Sequence, residues 1–500
     1  MYKKGILLVI FFLFLLIPFA HSESTYWYKD AVFYEVFVRS FADSDGDGIG
    51  DLRGLMEKLD YLNDGNPNTT KDLGVNALWL MPIFLSPSYH GYDVVDYYDI
   101  DPNYGDMKDF EEFLAEAHKR GIKVILDLVL NHTSSLHPWF KSASSSFLSP
   151  YRNFYLWSTE PPKNNPQFWH KTNTGYYYGF FWSGMPDLNY DEPRVREEVK
   201  KIAKFWLEKG VDGFRLDAAK HIYDDHDKNV AWWKEFYDYV KSIKKDVYLV
   251  GEVWDSQEVI AKYYYGLPSN FNFPLAQRII SSVSSQYNLN LVDFLLDERS
   301  LFSQYNPDFA DAIFLTNHDQ NRVMSVFGGS IDKAILSASI YLTFPGTPFI
   351  YYGEEIGMSG AKPDEHIREP FEWTSNLKGD YQTMWIKPIY AKPNDGISVE
   401  EEDLDENSIL NHYRRLVNLR LKYKALSYGD IEKVDTKDST LLAYIRKVGE
   451  EKILIIHNLN RVKNNFSYPL PKNYQVLYSR NSKVDKDIIL GPFSSIIIKI

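Results

Sequence analysis

The sequence contains no cysteine, which excludes disulfide bonds and a lipid anchor on an N-terminal cysteine. It has no excess of basic residues either, because the formal net charge is −13 at pH 7. A nucleic-acid-binding protein normally presents a basic face, so we expect no nucleic-acid partner. The chain also lacks an apolar run of the roughly 20 residues that a membrane-spanning helix needs, and we expect no stable membrane anchor.

The N-terminus has the three parts of a secretory signal peptide. The basic start "MYKK" is followed by the apolar residues 5–17, then by Pro18 and a small-residue pattern that ends at Ser22. A membrane anchor is the alternative, but the apolar run is too short for it. We therefore predict a signal peptide over residues 1–22, cleavage after Ser22, and secretion to an extracellular or periplasmic location.

Aromatic residues are abundant, with 37 Tyr, 31 Phe and 12 Trp in 500 residues. Most of them are expected to pack in the core. Several lie in polar, loop-like contexts such as "GYYYGFFW", residues 175–182, where flat rings can stack on a ligand. The length and the hydrophobic fraction of 44% predict two or three domains with a large core.

Short β-rich segments alternate with helical stretches through most of the chain. The stretches 106–121 and 192–210 have apolar residues at helical spacing, and each ends at a glycine. Strands are predicted at residues 32–38, 77–80, 124–130, 213–217, 248–252, 269–273, 312–315 and 349–352. Eight strands that alternate with helices predict an α/β fold of the (β/α)8 TIM-barrel type.

The third and fourth predicted strands are separated by about twice the usual interval, which indicates an inserted, loop-rich subdomain. After an amphipathic helix at 408–423, alternating segments predict a C-terminal antiparallel β domain. The acidic run 399–407 is expected to be a solvated approach to that helix. The predicted boundaries are a signal peptide at 1–22, a catalytic barrel at 23–130 and 188–425, an inserted subdomain at 131–187 and a C-terminal β-sandwich domain at 426–500.

Charged residues recur where the predicted strands end. The third, fourth, fifth and seventh strands run into "DLVLNH" (127–132), "GFRLDAAKH" (213–221), "VGEVW" (250–254) and "FLTNHD" (314–319). One such ending is readily explained as a structural ion pair. Four of them on the rim where barrel enzymes carry their catalytic groups predict an active site instead.

The fourth of these strands places Arg215 and Asp217 on one face, because side chains two residues apart in a strand point the same way. An arginine beside a carboxylate lowers the pKa of that carboxylate, so we expect Asp217 to be ionised and to serve as a nucleophile. Glu252 lies among apolar neighbours, which raise its pKa and suit it to general-acid work. Two carboxyl groups whose environments differ in this way are typical of glycoside hydrolysis.

These four motifs, in this order, resemble the signature regions of glycoside hydrolase family 13, the α-amylase family, and the resemblance covers residues 25–500. It implies that Asp217 is the nucleophile, that Glu252 is the general acid and base, and that Asp319 is a third acid that hydrogen-bonds sugar hydroxyls. Asp127 then supports Arg215. The substrate-binding residues that the resemblance implies are Tyr92, His132, Arg215, Lys220, His221 and His318.

A fifth motif, "MPDLN" at residues 185–189, resembles that of an intermediate group of bacterial α-amylases. The resemblance implies a secreted, retaining, endo-acting α-amylase that hydrolyses α-1,4 bonds in starch and maltooligosaccharides, and we expect a monomer. The alternatives within the family are a 4-α-glucanotransferase and an oligo-1,6-glucosidase. A non-catalytic carbohydrate-binding relative is disfavoured because all three acids are present.

Tyr89 bears on the choice between endo and exo cleavage. Relatives that trim chain ends carry an aspartate three residues before the stacking tyrosine, and Tyr89 occupies this position. A tyrosine cannot accept hydrogen bonds from the hydroxyls of a terminal sugar as a carboxylate does, but its ring can stack on a further glucose. We therefore predict an open cleft and cleavage inside chains.

The segment "DSDGDGIGD", residues 43–51, has acids at alternate positions with glycines between them. Such a loop can wrap oxygens around Ca²⁺, although a polar, glycine-rich turn is the alternative. It is not an EF-hand, because its twelfth position is Gly54. The predicted ligands are the carboxylates of Asp43, Asp45, Asp47 and Asp51 and the carbonyl of Ile49. Asn131 resembles a ligand of a second calcium site found in many amylases.

Overall fold

The computed structural model describes residues 26–500, so the predicted signal peptide at 1–22 lies outside the described residues. Eight parallel strands close into a barrel in chain order, which confirms the predicted (β/α)8 architecture. The eight barrel strands are Phe33–Val36, Ala77–Leu80, Lys123–Leu128, Gly213–Leu216, Tyr248–Gly251, Ser269–Phe271, Ala310–Ile313 and Thr347–Tyr351.

The interior of the barrel is filled by aromatic rings from several strands. Phe33 and Phe349 stack with centroids 4.3 Å apart and planes at 4°. Tyr248 stacks on Phe33 at 5.2 Å, and Trp79 packs against Phe271 at 5.4 Å. Large flat side chains fill the space between eight tilted strands, so the middle of the barrel is a packed core with no room for substrate.

Helices surround the barrel and follow most of its strands. None of the helices in residues 26–500 is long and apolar enough to cross a membrane. The α-helices are Val38–Phe41, Leu52–Glu57, Leu59–Leu62, Met107–Lys119, Pro138–Ser145, Pro193–Glu208, His226–Ile243, Gln257–Tyr263, Phe273–Ser285, Leu291–Ser303, Val323–Val326, Ile331–Tyr341, Asp364–Ile367, Val399–Glu402, Ile409–Lys422 and Lys424–Ser427. Short 3-10 turns occur at Trp27–Lys29, Arg152–Phe154 and Pro166–Phe168.

The two helices predicted from spacing begin and end at the expected residues. Asp106 caps the first by accepting hydrogen bonds from the amides of Lys108 and Asp109, and Asp109 returns the bond to Asp106. Gly121 and Gly210, with φ of 78° and 104°, follow the two helices in the left-handed conformation that commonly ends a helix.

The segment between the third and fourth barrel strands contains the helix Pro138–Ser145 and a three-stranded antiparallel sheet. The strands of this small sheet are Trp157–Ser158, Trp169–Thr172 and Gly175–Tyr178. Arg152 holds helix and sheet together, because it donates to the carbonyls of Ala143 and Thr174. A further short hairpin pairs Phe84–Leu85 with Asp96–Ile100.

The C-terminal strands, which were expected to form a β-sandwich, are joined into one connected six-stranded antiparallel sheet. One face packs on the barrel, where the Tyr444 hydroxyl lies 2.6 Å from Thr343 Oγ1. The other face buries its own apolar cluster around Leu454 and Ile496. The strands are Asp430–Lys433, Leu441–Val448, Glu451–Asn458, Asn464–Phe466, Gln475–Val484 and Ile488–Lys499.

The acidic run 399–407 is only partly solvated, which corrects the expectation from its composition. Glu402 is 5% exposed, and its carboxyl accepts a hydrogen bond of 2.8 Å from the amide of Leu410. It thereby caps the helix Ile409–Lys422, whose first amides have no partner within the helix. Burial raises the pKa of Glu402 to about 9.

Candidate active site

The carboxyl ends of the barrel strands bring the sequence motifs together around one cavity of about 720 Å³. Asp217 follows the fourth strand directly, and Glu252 follows the fifth. The cavity is lined by His90, Tyr92, His132, Phe181, Trp182, Met185, Asp217, Ala218, Lys220, His221, Glu252, Trp254, Asp319, Lys362, Asp364 and Arg368. Seven of the nine predicted site residues are in this lining, while Arg215 and His318 are buried beneath it.

Arg215 links the carboxylates of three different strands. Its Nη1 donates to Asp217 Oδ1 at 2.7 Å and to Asp127 Oδ1 at 2.9 Å. Its Nη2 donates to Glu252 Oε2 at 2.7 Å, and this same oxygen accepts a bond of 3.0 Å from the amide of Ala218. The Arg215 side chain is 1% exposed, so burial of this guanidinium depends on its carboxylate partners.

The expectation that Arg215 would hold the pKa of Asp217 below its ordinary value is wrong, because burial outweighs the arginine. Burial raises the pKa of Asp217 and of Glu252, while Arg215 acts in the opposite direction on both. One guanidinium therefore faces three buried carboxyl groups, and burial also raises the pKa of Asp127 to about 7. Repulsion from Asp217 adds to the rise at Glu252, which favours a proton on Glu252 when Asp217 is ionised.

Asp319 is held in the ionised form. Burial by itself would raise the pKa of Asp319, but His318 and Arg368 outweigh burial and hold it well below its usual range. Asp319 Oδ2 lies 3.1 Å from His318 Nε2, and Arg368 Nη2 donates to Asp319 Oδ1 at 2.8 Å. The third acid thus has a fixed negative charge at the rim of the cavity.

His318 is a buried imidazolium. Burial opposes its charge, but Asp319 and Glu35 outweigh burial and raise the pKa of His318 to about 9. Its Nδ1 lies 2.5 Å from Glu35 Oε1, and its Nε2 lies 2.5 Å from the Tyr92 hydroxyl. The tyrosine hydroxyl donates in turn to Asp127 Oδ2 at 3.0 Å, so one polar network joins His318 to the carboxylates around Arg215.

Glu35 and Arg368 are site residues that the sequence reasoning missed. Glu35 is the one carboxylic acid in the strand Phe33–Val36, and it is 2% exposed. An acid in an otherwise apolar strand is the same signal that identified Asp217, so it also identifies Glu35 as a candidate site residue. Arg368 lies in a loop after the eighth strand, and its spacing to Asp319 carries no local signal.

The substrate-binding residues implied by the resemblance all lie at or under the cavity. Tyr92 stacks on His318 with centroids 5.5 Å apart and planes at 12°. His132 Nε2 lies 3.1 Å from the carbonyl of Tyr92, and burial lowers the pKa of His132 to about 4, which leaves it neutral. Lys220 Nζ donates to the carbonyl of Trp254 at 2.6 Å. His221 packs on Phe180 at 4.3 Å.

Exposed aromatic side chains form part of the cavity wall. Phe181, Trp182 and Trp254 are 46%, 50% and 45% exposed although they are large and apolar. Trp254 stacks on Phe273 with centroids 4.6 Å apart and planes at 8°, which fixes the orientation of the indole. Flat rings held in this way suit the apolar faces of sugar rings.

Tyr89 lies beside the site, and its predicted stacking on a further glucose stays a prediction. It is absent from the cavity lining given above. One face of its ring stacks on Trp385 with centroids 5.1 Å apart, and the Arg368 guanidinium lies 6.0 Å from its centroid. Tyr89 therefore packs between Trp385 and Arg368, which is the arginine that holds Asp319.

The acidic loop at residues 43–51 brings three of its predicted ligands together. Oxygens of Asp43, Asp45 and Asp51 all lie within 4.8 Å of one another. Asp47 is not in this group, and its Oδ1 accepts a bond of 2.7 Å from the amide of Ile49. Three convergent carboxylates fit a hard divalent cation such as Ca²⁺.

Asn131, the residue that resembles a second calcium ligand, lies beside Asp187 at the end of the insert. Asn131 Nδ2 donates to Asp187 Oδ2 at 3.2 Å, while Asn131 Oδ1 is buried and has no hydrogen-bond partner among residues 26–500. Burial raises the pKa of Asp187 to about 8. An unpartnered buried oxygen beside a buried carboxyl group also fits a cation.

Comparison with known proteins agrees with this geometry. The family model "Alpha amylase, catalytic domain" matches residues 35–429, and the model "Alpha-amylase SusG C-terminal domain" matches residues 441–497. The chain belongs to glycoside hydrolase family 13, the α-amylase family. It is a glycoside hydrolase built on a TIM barrel with a C-terminal antiparallel sheet.

Three relatives of this family 13 enzyme illustrate its range. Alpha-amylase 3 of Dictyoglomus thermophilum is 61% identical over 99% of this chain and 98% of its own. A 4-alpha-glucanotransferase of Thermotoga neapolitana is 39% identical over 85% of this chain and 95% of its own. The crystal structure of the α-amylase from H. orenii matches with a TM-score of 0.88 and 45% identity, covering 94% of this chain and 99% of that one.

Because His318 is charged in the folded enzyme, part of the free energy of unfolding should be lost at alkaline pH. The pKa of His318 is raised to about 9 from the ordinary value of 6.5. A histidine whose pKa is higher in the folded than in the unfolded state stabilises the native state. This stabilisation is fully present below pH 6.5 and is lost as pH rises through 9. We expect urea unfolding to show that the stability difference between wild type and His318→Gln shrinks from pH 6 to pH 9.5.

The matched control is His412→Gln. His412 is also buried, but burial lowers the pKa of His412 to about 3, so this residue is neutral throughout the range. In the unfolded state His412 has its ordinary pKa of 6.5, so its substitution should give a stability difference that is constant from pH 7.5 to 9.5. A His318→Gln difference that is equally constant from pH 7.5 to 9.5 contradicts the assignment of a buried imidazolium.

Proposed function

We propose that the protein is a secreted, retaining, endo-acting α-amylase that hydrolyses α-1,4-glucosidic bonds in starch and maltooligosaccharides. The observation that carries the proposal is the bridge of Arg215 between Asp217 and Glu252 at the floor of an aromatic-lined cavity. Two carboxyl groups on one guanidinium are held close together, as a double-displacement glycosidase requires.

In the first displacement, Asp217 attacks the anomeric carbon and forms a glycosyl ester while Glu252 gives its proton to the departing glycosidic oxygen. Arg215 engages Asp217 Oδ1 and Glu252 Oε2. The second oxygen of each carboxyl group makes no hydrogen bond to other residues of 26–500, and both residues line the cavity. The nucleophile and the acid thus each have an oxygen for the substrate.

In the second displacement, Glu252 takes a proton from water, whose oxygen attacks the anomeric carbon and releases Asp217. The two inversions leave the product in the α configuration. The fixed negative charge of Asp319 faces the sugar and accepts hydrogen bonds from its hydroxyls as positive charge develops on the ring. The His318 imidazolium and Tyr92 complete the walls that hold this sugar.

Substrates with different leaving groups distinguish the role of Asp217 from that of Glu252. Asp217→Asn should lose on the order of 10⁴-fold in kcat on starch and on an aryl glucoside with an activated phenol, because no ester forms on either substrate. Glu252→Gln should lose roughly 10²–10⁴-fold on starch but much less in the release of the activated phenol, which needs no proton.

The measurement is kcat and KM of both variants on the two substrates, with circular dichroism as a control for folding. An equal loss for Glu252→Gln on starch and on the aryl glucoside overturns its role as the acid. Retention of a tenth of wild-type activity by Asp217→Asn overturns the nucleophile.

We further propose that the loop at residues 43–51 holds Ca²⁺. Asp43, Asp45 and Asp51 supply the convergent carboxylates, and Asp47 and the carbonyl of Ile49 are the further ligands that the sequence predicts. The loop packs against the segment that carries Met384, whose amide donates to the carbonyl of Gly48 at 2.7 Å. Bound calcium would therefore join two segments that are distant in sequence.

Chelation should lower the melting temperature of the enzyme, because a ligand that binds only the native state stabilises it in proportion to free metal. Asp45→Ala combined with Asp47→Ala should abolish the effect of the chelator. Asp435→Ala is the matched control, since Asp435 also accepts an amide bond in an exposed turn but lies in the C-terminal domain. A chelator response that survives in the double variant assigns the metal to other residues.

Endo cleavage is supported by what surrounds the third acid. The carboxylate of exo-acting relatives is replaced by Tyr89, whose ring stacks on Trp385. The rings of Phe181, Trp182 and Trp254 are exposed in the cavity wall. These rings offer stacking surface for more than one sugar, which supports binding of a chain that is cut in its interior.

We expect the viscosity of a starch solution to collapse while few reducing ends have appeared. The measurement is viscosity against reducing ends, with product analysis on maltooligosaccharides alongside. Glucose as the sole early product contradicts endo action. Longer oligosaccharides formed from short ones, with no net rise in reducing ends, indicate the 4-α-glucanotransferase alternative, which uses the same catalytic residues.

A further inference from the structure

A second cavity, of about 710 Å³, lies at the opposite end of the barrel from the active site. Its lining includes Ala310 and Thr347, the first residues of the seventh and eighth barrel strands, whereas the catalytic groups follow the last residues. Asp430 and Lys447 of the C-terminal sheet close its other side. We call this space, between barrel and C-terminal sheet, the barrel-base cavity.

Basic residues are concentrated around the barrel-base cavity although the whole protein is acidic. The chain carries a formal net charge of −13, yet Lys29, Arg299, Lys424 and Lys447 line this one space, and of these Lys447 is paired with Glu432 at 2.8 Å. A concentration of cations in a concave, partly desolvated site attracts anions strongly, because the low-dielectric walls focus the field.

Arg299 is the central cation of this lining. It makes no hydrogen bond or ion pair with any other residue of 26–500, and its guanidinium lies 5.1 Å from the centroid of the Phe309 ring. Burial lowers the pKa of Arg299, as it does that of Lys29. An arginine whose guanidinium N–H groups have no acceptor in the protein can bind an oxyanion through two parallel hydrogen bonds.

Two more guanidiniums lie directly behind the wall. Arg420 donates to the carbonyls of Gly346 and Ser427, and Arg446 donates to that of Gly429 at 2.8 Å. Among the described residues neither arginine pairs with a carboxylate, although both are at most 1% exposed. The carbonyls that they occupy belong to the cavity lining, so these oxygens no longer repel an anion.

Three acids of the lining offset part of this positive charge. Asp311 is 1% exposed, and its two oxygens accept bonds from Tyr264 and Asn272. Burial raises the pKa of Asp311 to about 6, so it is mostly ionised at pH 7, but both of its oxygens are occupied by these two bonds. Asp308 and Asp430 are exposed at the rim, where solvent screens them.

We propose that the barrel-base cavity binds a small molecule that carries a phosphoryl group, with Arg299 as the residue that grips the phosphoryl oxygens. The cavity is several times larger than inorganic phosphate needs, so it has room for a polyhydroxylated body such as a sugar beside the phosphoryl group. Because barrel and C-terminal sheet both contribute to the lining, a bound anion holds them together and stabilises the native state.

The test is isothermal titration of the full-length protein at constant ionic strength in chloride buffer. The probes are inorganic phosphate and glucose 6-phosphate, with glucose as the uncharged comparator. Binding of both anions identifies the phosphoryl group as sufficient, and binding of glucose 6-phosphate alone shows that the sugar body is also needed. Equal binding of glucose, or binding of neither anion at millimolar concentration, overturns the proposal.

Arg299→Gln should weaken anion binding at least about tenfold, because charge-assisted bonds to the phosphoryl group are lost. Arg278→Gln is the matched control, since Arg278 also lies over a phenylalanine, Phe294, at 4.7 Å but is outside the cavity lining. Unchanged affinity in Arg299→Gln, or an equal loss in both variants, overturns the proposal. Starch hydrolysis by both variants should match wild type, which separates this result from the test of the catalytic residues.

Discussion

The active site depends on the burial of one guanidinium. Arg215 is 1% exposed and contacts carboxyl groups from three strands, so loss of the guanidinium would leave buried carboxylates without their shared partner. Breaking a buried pair of this kind costs about 3–5 kcal/mol, a large part of the stability of an ordinary domain. The catalytic carboxyl groups are therefore fixed by the same interaction that the fold needs in order to tolerate the arginine.

A second polar network fixes the sugar-facing side of the site. Glu35, His318, Tyr92 and Asp127 form a continuous series of hydrogen bonds that reaches Arg215 from the first and seventh strands. His318 and Tyr92 each have a partner on both sides, and in a buried setting such networks rigidify the groups they join. Asp319 is attached to this network through His318, so its position follows from the register of the barrel strands and not from its own loop alone.

The sequence was sufficient for the barrel because each strand is a short apolar run that both faces of the barrel bury, and the catalytic acids follow these runs directly. What it could not supply were contacts between distant segments. The direction of the Asp217 pKa was wrong because burial raises it, and the extent of that burial depends on how distant segments pack. The contact of Tyr89 with Trp385 was unpredicted for the same reason, since Trp385 lies in a loop nearly 300 residues later.

The buried guanidinium groups are compensated by different partners at the two ends of the barrel. At the catalytic end one guanidinium is shared among several carboxyl groups. The excess of carboxyl groups favours protonation there and favours the positive charge that develops on the sugar. At the other end the hydrogen bonds that Arg420 and Arg446 make within residues 26–500 all go to carbonyl oxygens, which carry partial charges. Between the ends lies an apolar layer of stacked rings such as Phe33 and Phe349. Because an unpaired charge is costly in an apolar layer, the ionised groups lie at the two ends of the barrel, where loops can bring ligands to them.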